Sequence, residues 1–469
     1  MSFASFEFAF FAPIFFALYA LFGWRYPVAF IGAASLFFYG WWDPSYLPLL
    51  IASASIDYVA GLRIHAATEE RRRRVWLTLS VVSNLAILVF FKYWTFLFGD
   101  LARATGYDDL IHDVLLPLGL SFYTLQTLGY TIDVFRRKVA PERNFFTYLL
   151  FVSFFPQLVA GPIERAGKLL PQLRAIPPFT LRAFHSGFVL VTWGLFMKLA
   201  VADNLVAFVN SAMAAERPGL MHWGVGFVGM FQVYTDFYAY TLIARGLARA
   251  LGVDLSENFR QPLFAKHLTG FWQRWHITLT RWIMDYVHLP IARRMPEEPG
   301  RSASAIAAMC LVGLWHGASW NFLLFGLFHG VVMRLWQPAS RWLGQVPHPQ
   351  RYEGAISRVL LFAVLSFSAP MFLVPDIGQL GHVLAGMAST HLGVVAILGS
   401  GGKFAALLGC ALASLVILND FLIRWKSVWH VEAVAEAGGW LAVGYAGLFI
   451  ILTIVFGNLG ATQFVYFQF

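Results

Sequence analysis

The chain has 469 residues, of which 58% are hydrophobic and only 13% are charged, and its formal net charge is +9. A soluble domain carries about 25% charged residues, so this composition excludes a soluble globule, a disordered chain and a disulfide-rich secreted scaffold. Cys310 and Cys410 both lie in apolar runs, which is typical of small buried side chains and not of a metal or redox pair. The composition therefore predicts an all-α polytopic membrane protein.

Apolar runs recur along the chain near the length of about 20 residues that a helix needs to cross the hydrocarbon. We expect about 11 to 13 transmembrane or re-entrant helices, together with interfacial amphipathic helices. The predicted segments are Phe3–Phe22, Tyr26–Trp42, Tyr46–Leu62, Val75–Phe98, Leu115–Phe135, Phe145–Ala160, Phe184–Val209, Trp223–Ile243, Ser302–Trp315, Ala318–Leu335, Val359–Leu373, Phe404–Ile423 and Trp440–Gly457.

The charges between these segments predict their orientation, because cytoplasmic loops are enriched in Lys and Arg. The basic runs Arg71–Arg74 and Arg136–Lys138 are predicted to be cytoplasmic, and the loop with Asp108, Asp109 and Asp113 is predicted to be outside. No nucleic-acid partner is expected, since no basic helix or aromatic-interleaved module accompanies the positive charge.

Two segments have basic residues on both sides and are predicted to enter the membrane and return. They are Phe145–Ala160, which is followed by the breakers Gly161 and Pro162, and Ser302–Leu335. The second should form a hairpin whose turn, Trp315–Ala318, lies inside the membrane. Broken backbone survives at that depth only where protein or a wet cavity surrounds it.

Polar side chains in apolar segments are costly and therefore mark candidate sites. Residues 271–282 place Trp272, Trp275, Leu279 and Trp282 at helical spacing, which predicts one amphipathic helix at the membrane interface. On these residues alone, a structural belt helix is the favoured interpretation, with a functional helix as the alternative.

The other polar positions also have two interpretations. His316 in the hairpin turn needs a partner or a wet cavity, whereas His329 is expected to have a solvated or packing role. Asp236 is the single carboxylate of the span Trp223–Ile243 and is expected to pair with a cation elsewhere. The polar residues of Pro117–Gln126 can line a cavity or pack helices together.

Taken together, these segments resemble the membrane-bound O-acyltransferase family, and within it the bacterial branch typified by alginate O-acetylase. The residues that carry the resemblance are FWxRWHIxLxxW followed by Asp285-Tyr286, and GLWHGASW. The other matching stretches are Pro117–Gln126, Phe154–Arg165, Glu257–Phe259 and the C-terminal Phe464–Phe469. They occur from one end of the chain to the other, in the order that the family has.

The resemblance implies a single membrane acyltransferase domain, residues 1–469, with a central tunnel. N-terminal helices at about 1–110 and C-terminal helices at about 336–469 would flank a catalytic core at about 111–335. The family's membrane-embedded histidine falls on His316 and its second histidine on His276. As general base, His316 would take the hydroxyl proton, and His276 would orient it or stabilise charge.

The resemblance also implies substrates, partners and a location. An acyl group, acetyl by expectation, would pass from cytoplasmic acyl-CoA to an exported polysaccharide, with no bound cofactor or metal. A periplasmic acetyltransferase partner would act on the outer face of the bacterial inner membrane. Residues expected to line the substrate tunnel are Trp315, Ser319, Asn321, Asp236, Tyr234, Gln126 and Tyr123. Those expected to bind the CoA phosphates are Arg274, Arg281, Arg293 and Arg294.

Two alternatives stay open on the sequence. One is transfer of a different acyl group, such as D-alanyl from a carrier protein. The other is a conduit that moves an acyl group or polymer without chemistry. The acceptor is equally open, because alginate, cellulose and peptidoglycan all offer suitable hydroxyl groups.

Overall fold

The computed structural model describes residues 1–105, 115–214, 219–345, 353–390 and 403–458. All regular secondary structure in these ranges is helical. The α-helices in these ranges are, in chain order, α1 Phe6–Leu21, α2 Pro27–Gly40, α3 Leu47–Ala66, α4 Glu70–Leu88, α5 Trp94–Thr105, α6 Leu120–Phe135, α7 Phe145–Ser153, α8 Phe155–Leu158, α9 Ala166–Arg174, α10 Leu181–Leu195, α11 Asp203–Met213, α12 His222–Ala250, α13 Leu268–Trp272, α14 Ile277–Ile283, α15 Leu289–Arg294, α16 Gly300–His316, α17 Trp320–Gln345, α18 Glu353–Leu373, α19 Ile377–Met387, α20 Lys403–Arg424, α21 Val431–Ala437 and α22 Gly439–Phe456. The predicted acidic loop with Asp108, Asp109 and Asp113 and the C-terminal motif Phe464–Phe469 lie outside the described residues.

Six helical segments in the described ranges are long and apolar enough to cross a membrane by length and composition. They are Pro44–Ala66, Glu70–Gly99, Leu181–Asn210, Gly354–Leu373, Leu407–Arg424 and Gly439–Phe456. The chain is therefore a multi-pass membrane protein of the predicted all-α class. The basic run Arg71–Arg74 belongs to the first turns of α4 and not to a loop, because Glu70 begins the helix and pairs with Arg73 and Arg74 at 3.0 and 3.3 Å.

The chain divides into two compact units. Unit 1 comprises Met1–Thr192, Tyr240–Ser256 and Ala435–Ala446, and unit 2 comprises Trp193–Ala239, Glu257–Val434 and the residues from Gly447 onwards. The predicted division into N-terminal helices, catalytic core and C-terminal helices stays a prediction, as does the sidedness of the loops.

In unit 1, a buried polar cluster holds α3, α4 and α6 together. The Asp57 carboxylate accepts hydrogen bonds from the Ser80 hydroxyl at 2.5 Å and from the Asn84 amide at 2.9 Å. Ser80 also reaches the Thr131 hydroxyl at 3.0 Å, and Thr127 donates to Asn84 at 3.3 Å. Interhelical hydrogen bonds of this kind hold helices together where the surrounding lipid is as apolar as the side chains.

The segment predicted to dip and return, Phe145–Ala160, is broken in the structure. α7 ends at Ser153, a short turn of helix covers Phe155–Leu158, and Pro156 occupies its first turn. The Gln157 amide donates to the Phe151 carbonyl at 3.0 Å, so the break is satisfied inside the protein. This is the condition that non-helical backbone at membrane depth must meet.

In unit 2, α16 and α17 form the predicted hairpin, with its turn at Gly317–Ser319. Glycines allow the two helices to approach closely. A Cβ on Gly313 would lie 2.0 Å from the Phe322 carbonyl oxygen, and one on Gly326 would lie 2.3 Å from that of Met309. Small residues at facing positions are the usual means by which membrane helices pack tightly.

The predicted amphipathic helix over residues 271–282 is wrong as a single element. α13 ends at Trp272, α14 starts at Ile277, and the backbone of His276 between them is left-handed, with φ 41°. The aromatic face is also not directed at the membrane interface, because Trp272, Trp275 and Trp282 are all buried in the protein. The helical spacing continues through the break, and contacts from another segment override it.

Candidate active site

The structure brings the two predicted histidines together within unit 2. The ring centroids of His276 and His316 lie 6.3 Å apart, and the two side chains are 0% and 3% exposed. A substrate hydroxyl can therefore contact one ring while the other is within reach of the same group. His276 directly precedes α14, and His316 is the last residue of α16, next to the hairpin turn.

His276 owes its position to an unusual backbone conformation. A positive φ is uncommon for residues other than glycine and costs about 1–3 kcal/mol. The turn is held by the segment that precedes it. The Ile277 N–H donates to the Asn258 carbonyl at 2.9 Å, and the Thr278 hydroxyl donates to the Asn258 side chain at 2.6 Å. Residues that hold a strained backbone in this way are frequent at functional sites.

His316 is the last residue of α16 and lies among aromatic rings. Phe372 lies 5.1 Å from its ring and Phe325 lies 6.4 Å from it, between centroids. Trp315 packs against His276 at 5.3 Å. A cavity of about 40 Å³ beside His316 has mainly apolar and aromatic walls. A site with these surroundings excludes bulk water and strengthens any electrostatic interaction inside it.

Two polar residues near the hairpin turn, Ser319 in the turn and Asn321 at the start of α17, form hydrogen bonds with backbone groups. Ser319 precedes α17, and its hydroxyl oxygen faces the Phe322 N–H at 3.5 Å. The Asn321 amide donates to the Val374 carbonyl at 3.0 Å, so it ties the start of α17 to the end of α18. Both positions adjoin the site, and the predicted tunnel-lining role stays a prediction.

The expected cation partner of Asp236 is Lys198. Its ammonium lies 2.9 Å from Asp236 and 2.7 Å from Asp203, and all three side chains are buried. Tyr234, two residues earlier on α12, donates to the Asp420 carboxylate at 2.7 Å. Lys198 and Asp420 were not singled out in the sequence, although each is a charged residue in an apolar run, which is the signal that marked Asp236.

Gln126 and Tyr123 belong to unit 1 and the histidine pair to unit 2. Within unit 1, Tyr123 is buried and the Gln126 amide donates to the Phe151 carbonyl at 2.7 Å. The four arginines predicted to attract CoA belong to unit 2. Arg274 is half-buried in the turn before His276, and Arg281, Arg293 and Arg294 are exposed on α14 and α15.

His329 is the functional candidate that the sequence analysis missed. A solvated role for it is wrong, because its side chain is 1% exposed and lines the same cavity as His316. Its ring packs on Phe325 at 4.5 Å and on Trp272 at 5.3 Å. The signal in the sequence is its position in an otherwise apolar segment, where an ionisable residue marks a site by default.

Two buried imidazoles at this distance are suited to proton transfer to and from a reacting hydroxyl. Comparison with known proteins indicates which reaction. A model of the membrane-bound O-acyltransferase family matches residues 77–352, which include the described residues of the site from His276 to His329.

Individual proteins agree with the family model. A probable alginate O-acetylase of Pseudomonas putida is 34% identical over 360 residues, which are 75% of this chain and 73% of that protein. A peptidoglycan O-acetyltransferase of Helicobacter pylori is 32% identical over 337 residues, covering 66% of this chain and 64% of that protein. A teichoic acid D-alanyltransferase of Streptococcus thermophilus is 26% identical over 229 residues, 46% of this chain and 55% of that protein. The chain therefore belongs to the membrane-bound O-acyltransferase family and is an acyltransferase.

Proposed function

We propose that this acyltransferase takes an acetyl group from cytoplasmic acyl-CoA and passes it across the bacterial inner membrane for O-acetylation of an exported polysaccharide such as alginate. The alginate and peptidoglycan O-acetylating relatives support acetyl as the group and a polysaccharide as the acceptor. The observation that carries the proposal is the pair of buried imidazoles, His276 and His316, at 6.3 Å.

The reaction that we assign to this pair is general-base catalysis. His316 takes the proton of the acceptor hydroxyl as its oxygen attacks the thioester carbonyl, and returns the proton to the departing thiolate. His276 orients His316 or stabilises the charge that develops on it. Such positioned proton transfer contributes about 10²- to 10⁴-fold to a rate.

The donor approaches from the arginine-rich surface of unit 2. Arg281, Arg293 and Arg294 are exposed on consecutive short helices, and Arg274 is half-buried beside the histidine turn. Guanidinium groups bind phosphate oxygens with charge-assisted hydrogen bonds. We assign these four residues to the phosphates of CoA, and a periplasmic acetyltransferase partner to the delivery of the acetyl group outside.

The second candidate is transfer of a D-alanyl group from a carrier protein, and one observation favours it. The teichoic acid D-alanyltransferase relatives share part of the chain with this protein. A conduit that moves an acyl group or polymer without chemistry is the third possibility, and a buried histidine pair would have no role in it. The donor distinguishes the first two, because free acetyl-CoA supports the first and only an aminoacylated carrier protein supports the second.

The test is to replace His316 by Ala and to measure thiol release from acetyl-CoA in membrane vesicles, together with acetylation of the cell's polysaccharides. We expect a loss of about 10²- to 10⁴-fold. His185→Ala, which changes an exposed histidine of α10, is the matched control and should keep full activity. Near-normal transfer by a well-folded His316→Ala variant would contradict the proposal, and activity with a carrier-bound donor alone would favour the second candidate.

A further inference from the structure

Two buried polar groups beside His316 have no hydrogen-bond partner among the described residues. They are the imidazole of His329, at both ring nitrogens, and the indole N–H of Trp272. The two rings are perpendicular and 5.3 Å apart, and both residues line the cavity that His316 also lines. Burying such groups without partners costs about 1–3 kcal/mol each, and a bound substrate that accepts their hydrogen bonds would offset this cost.

Another buried histidine of unit 2 and a polar side chain of the same cavity do have hydrogen-bond partners. His222 is equally buried, yet its Nδ1 accepts from the Gly219 N–H at 3.1 Å and its Nε2 lies 2.8 Å from the Ala212 carbonyl oxygen. In the cavity itself, the Ser368 hydroxyl donates to the Leu365 carbonyl at 3.1 Å. His329 and Trp272 therefore differ from a histidine that has only a structural role.

The chemistry of the two groups points to an oxygen atom. An indole N–H is only a donor, and a neutral imidazole always has one N–H. The Asn321 amide, the other donor near the turn, already donates to the Val374 carbonyl. The acyl transfer proposed above develops negative charge on the thioester carbonyl oxygen, and donors aimed at that charge are usually the largest electrostatic contribution to such catalysis.

We propose that His329 and Trp272 donate hydrogen bonds to the carbonyl oxygen of the acyl group during transfer. The inference rests on the proposed function. The acceptor hydroxyl gives its proton to His316, its oxygen forms the new C–O bond, and the carbonyl electron pair moves onto the oxygen that the two N–H groups hold. As the pair returns, the C–S bond breaks and the thiolate takes the proton from His316. His329 keeps its own proton throughout.

The distances around the cavity agree with His316 acting as the base and His329 acting as a hydrogen-bond donor. Phe325 contacts both imidazoles, with centroids 6.4 Å from His316 and 4.5 Å from His329. The proposed arrangement runs from the His316 ring to the acceptor hydroxyl, then to the acyl carbonyl and then to the His329 N–H. It requires two hydrogen bonds of about 2.8 Å and an attack distance of about 3 Å between the hydroxyl oxygen and the carbonyl carbon. Because both imidazoles pack on Phe325 and line the same cavity, a carbonyl group held in that cavity is within reach of both histidines.

The experiment removes the donors without removing the volume. His329→Leu and Trp272→Phe each take away N–H groups, His329→Gln restores a donor, and Phe328→Leu is a control on the same helix. Turnover of acetyl-CoA in vesicles, its apparent KM and the thermal midpoint of the purified protein are measured for each. We expect kcat to fall about 10²- to 10³-fold in His329→Leu, with KM and the thermal midpoint little changed, and to recover partly in His329→Gln. Trp272→Phe should also lower kcat, and Phe328→Leu should not.

Full turnover by His329→Leu, in a protein that His316→Ala inactivates, would overturn the inference and leave the proposed function standing. A loss that comes with a lower thermal midpoint and is not restored by His329→Gln would also overturn it, because His329 would then only pack. Full turnover by His316→Ala would instead defeat the proposed function on which the inference rests.

Discussion

The protein buries polar side chains in two regions that differ in how their hydrogen bonds are satisfied. In unit 1, the Asp57 carboxylate of α3 accepts from the Ser80 hydroxyl and the Asn84 amide of α4, and Ser80 also reaches the Thr131 hydroxyl of α6. In unit 2, the cavity beside His316 contains the ring nitrogens of His329 and the indole N–H of Trp272, which lack partners among the described residues.

This difference separates groups that hold the fold from groups that await a ligand. A satisfied buried network stabilises one arrangement of helices and leaves nothing to bind with. An unsatisfied donor costs free energy in the resting protein, and that cost is recovered when a substrate oxygen arrives. We therefore expect substitutions in the Asp57 cluster of unit 1 to lower stability and substitutions at the unit 2 cavity to lower turnover.

The largest expected change is a loss of stability in Asp57→Ala, which removes the central acceptor of the unit 1 cluster. It removes the carboxylate that accepts from both the Ser80 hydroxyl and the Asn84 amide, and each lost hydrogen bond costs about 0.5–1.5 kcal/mol. The thermal midpoint and the yield of folded protein should fall, whereas acetyl-CoA turnover per folded molecule should stay near wild type. Ser55→Ala, whose hydroxyl donates only to the Ile51 carbonyl of its own helix, is the control and should change neither. If Asp57→Ala kept its thermal midpoint and lost turnover, the assignment of the unit 1 cluster to stability and not to the reaction would be wrong.

A smaller effect, about tenfold in turnover or 1.4 kcal/mol, is expected when the His276 ring is removed. Two variants separate the ring from its left-handed backbone. His276→Gly accepts a positive φ without strain, whereas His276→Ala does not. If the ring takes part in the reaction, both variants lose turnover to a similar extent, and their thermal midpoints differ because only His276→Gly relieves the strain that both His and Ala bear at this position. Normal turnover in His276→Gly would mean that the residue serves the turn alone.

The sequence predicted the hairpin of α16 and α17 correctly, and with it the placement of His316 at a buried turn. Basic residues flank both ends of the segment, and glycines occur where the helices approach each other. The closeness of His276 and His316 also followed, because a short connection joins the two elements that carry them. Charge and small residues are local signals, so they are visible without the fold.

Features that depend on distant segments were not predictable. The helical spacing of residues 271–282 continues through the break before Ile277, and only the carbonyl of Asn258 shows why the chain turns there. Asp236 was expected to have a cation partner, but nothing in the sequence identifies Lys198. The burial of His329 was not predictable either, because its surroundings are made by Trp272 on another helix and Phe325 on its own.

The smallest effect should be at the donor surface, in Arg281→Glu. Arg281 is exposed, so its attraction for a CoA phosphate is screened by solvent and salt, and exposed ion pairs contribute about 0.2–1 kcal/mol. Reversing the charge should raise the apparent KM for acetyl-CoA about two- to fivefold and leave kcat unchanged, since the arginine does not contact the reacting atoms. The thermal midpoint should not move.

Ionic strength makes this small effect measurable. The Debye length shortens from about 10 Å at 0.1 M to about 3 Å at 1 M salt, so the KM of the wild-type protein should rise with salt and converge on that of Arg281→Glu. Arg25→Glu, which reverses an exposed charge in unit 1, should leave the KM and its salt dependence as in the wild type. If the Arg281 and Arg25 variants behave alike, α14 has no part in donor binding. The phosphates of CoA would then have to bind Arg274, Arg293 and Arg294 or another basic surface.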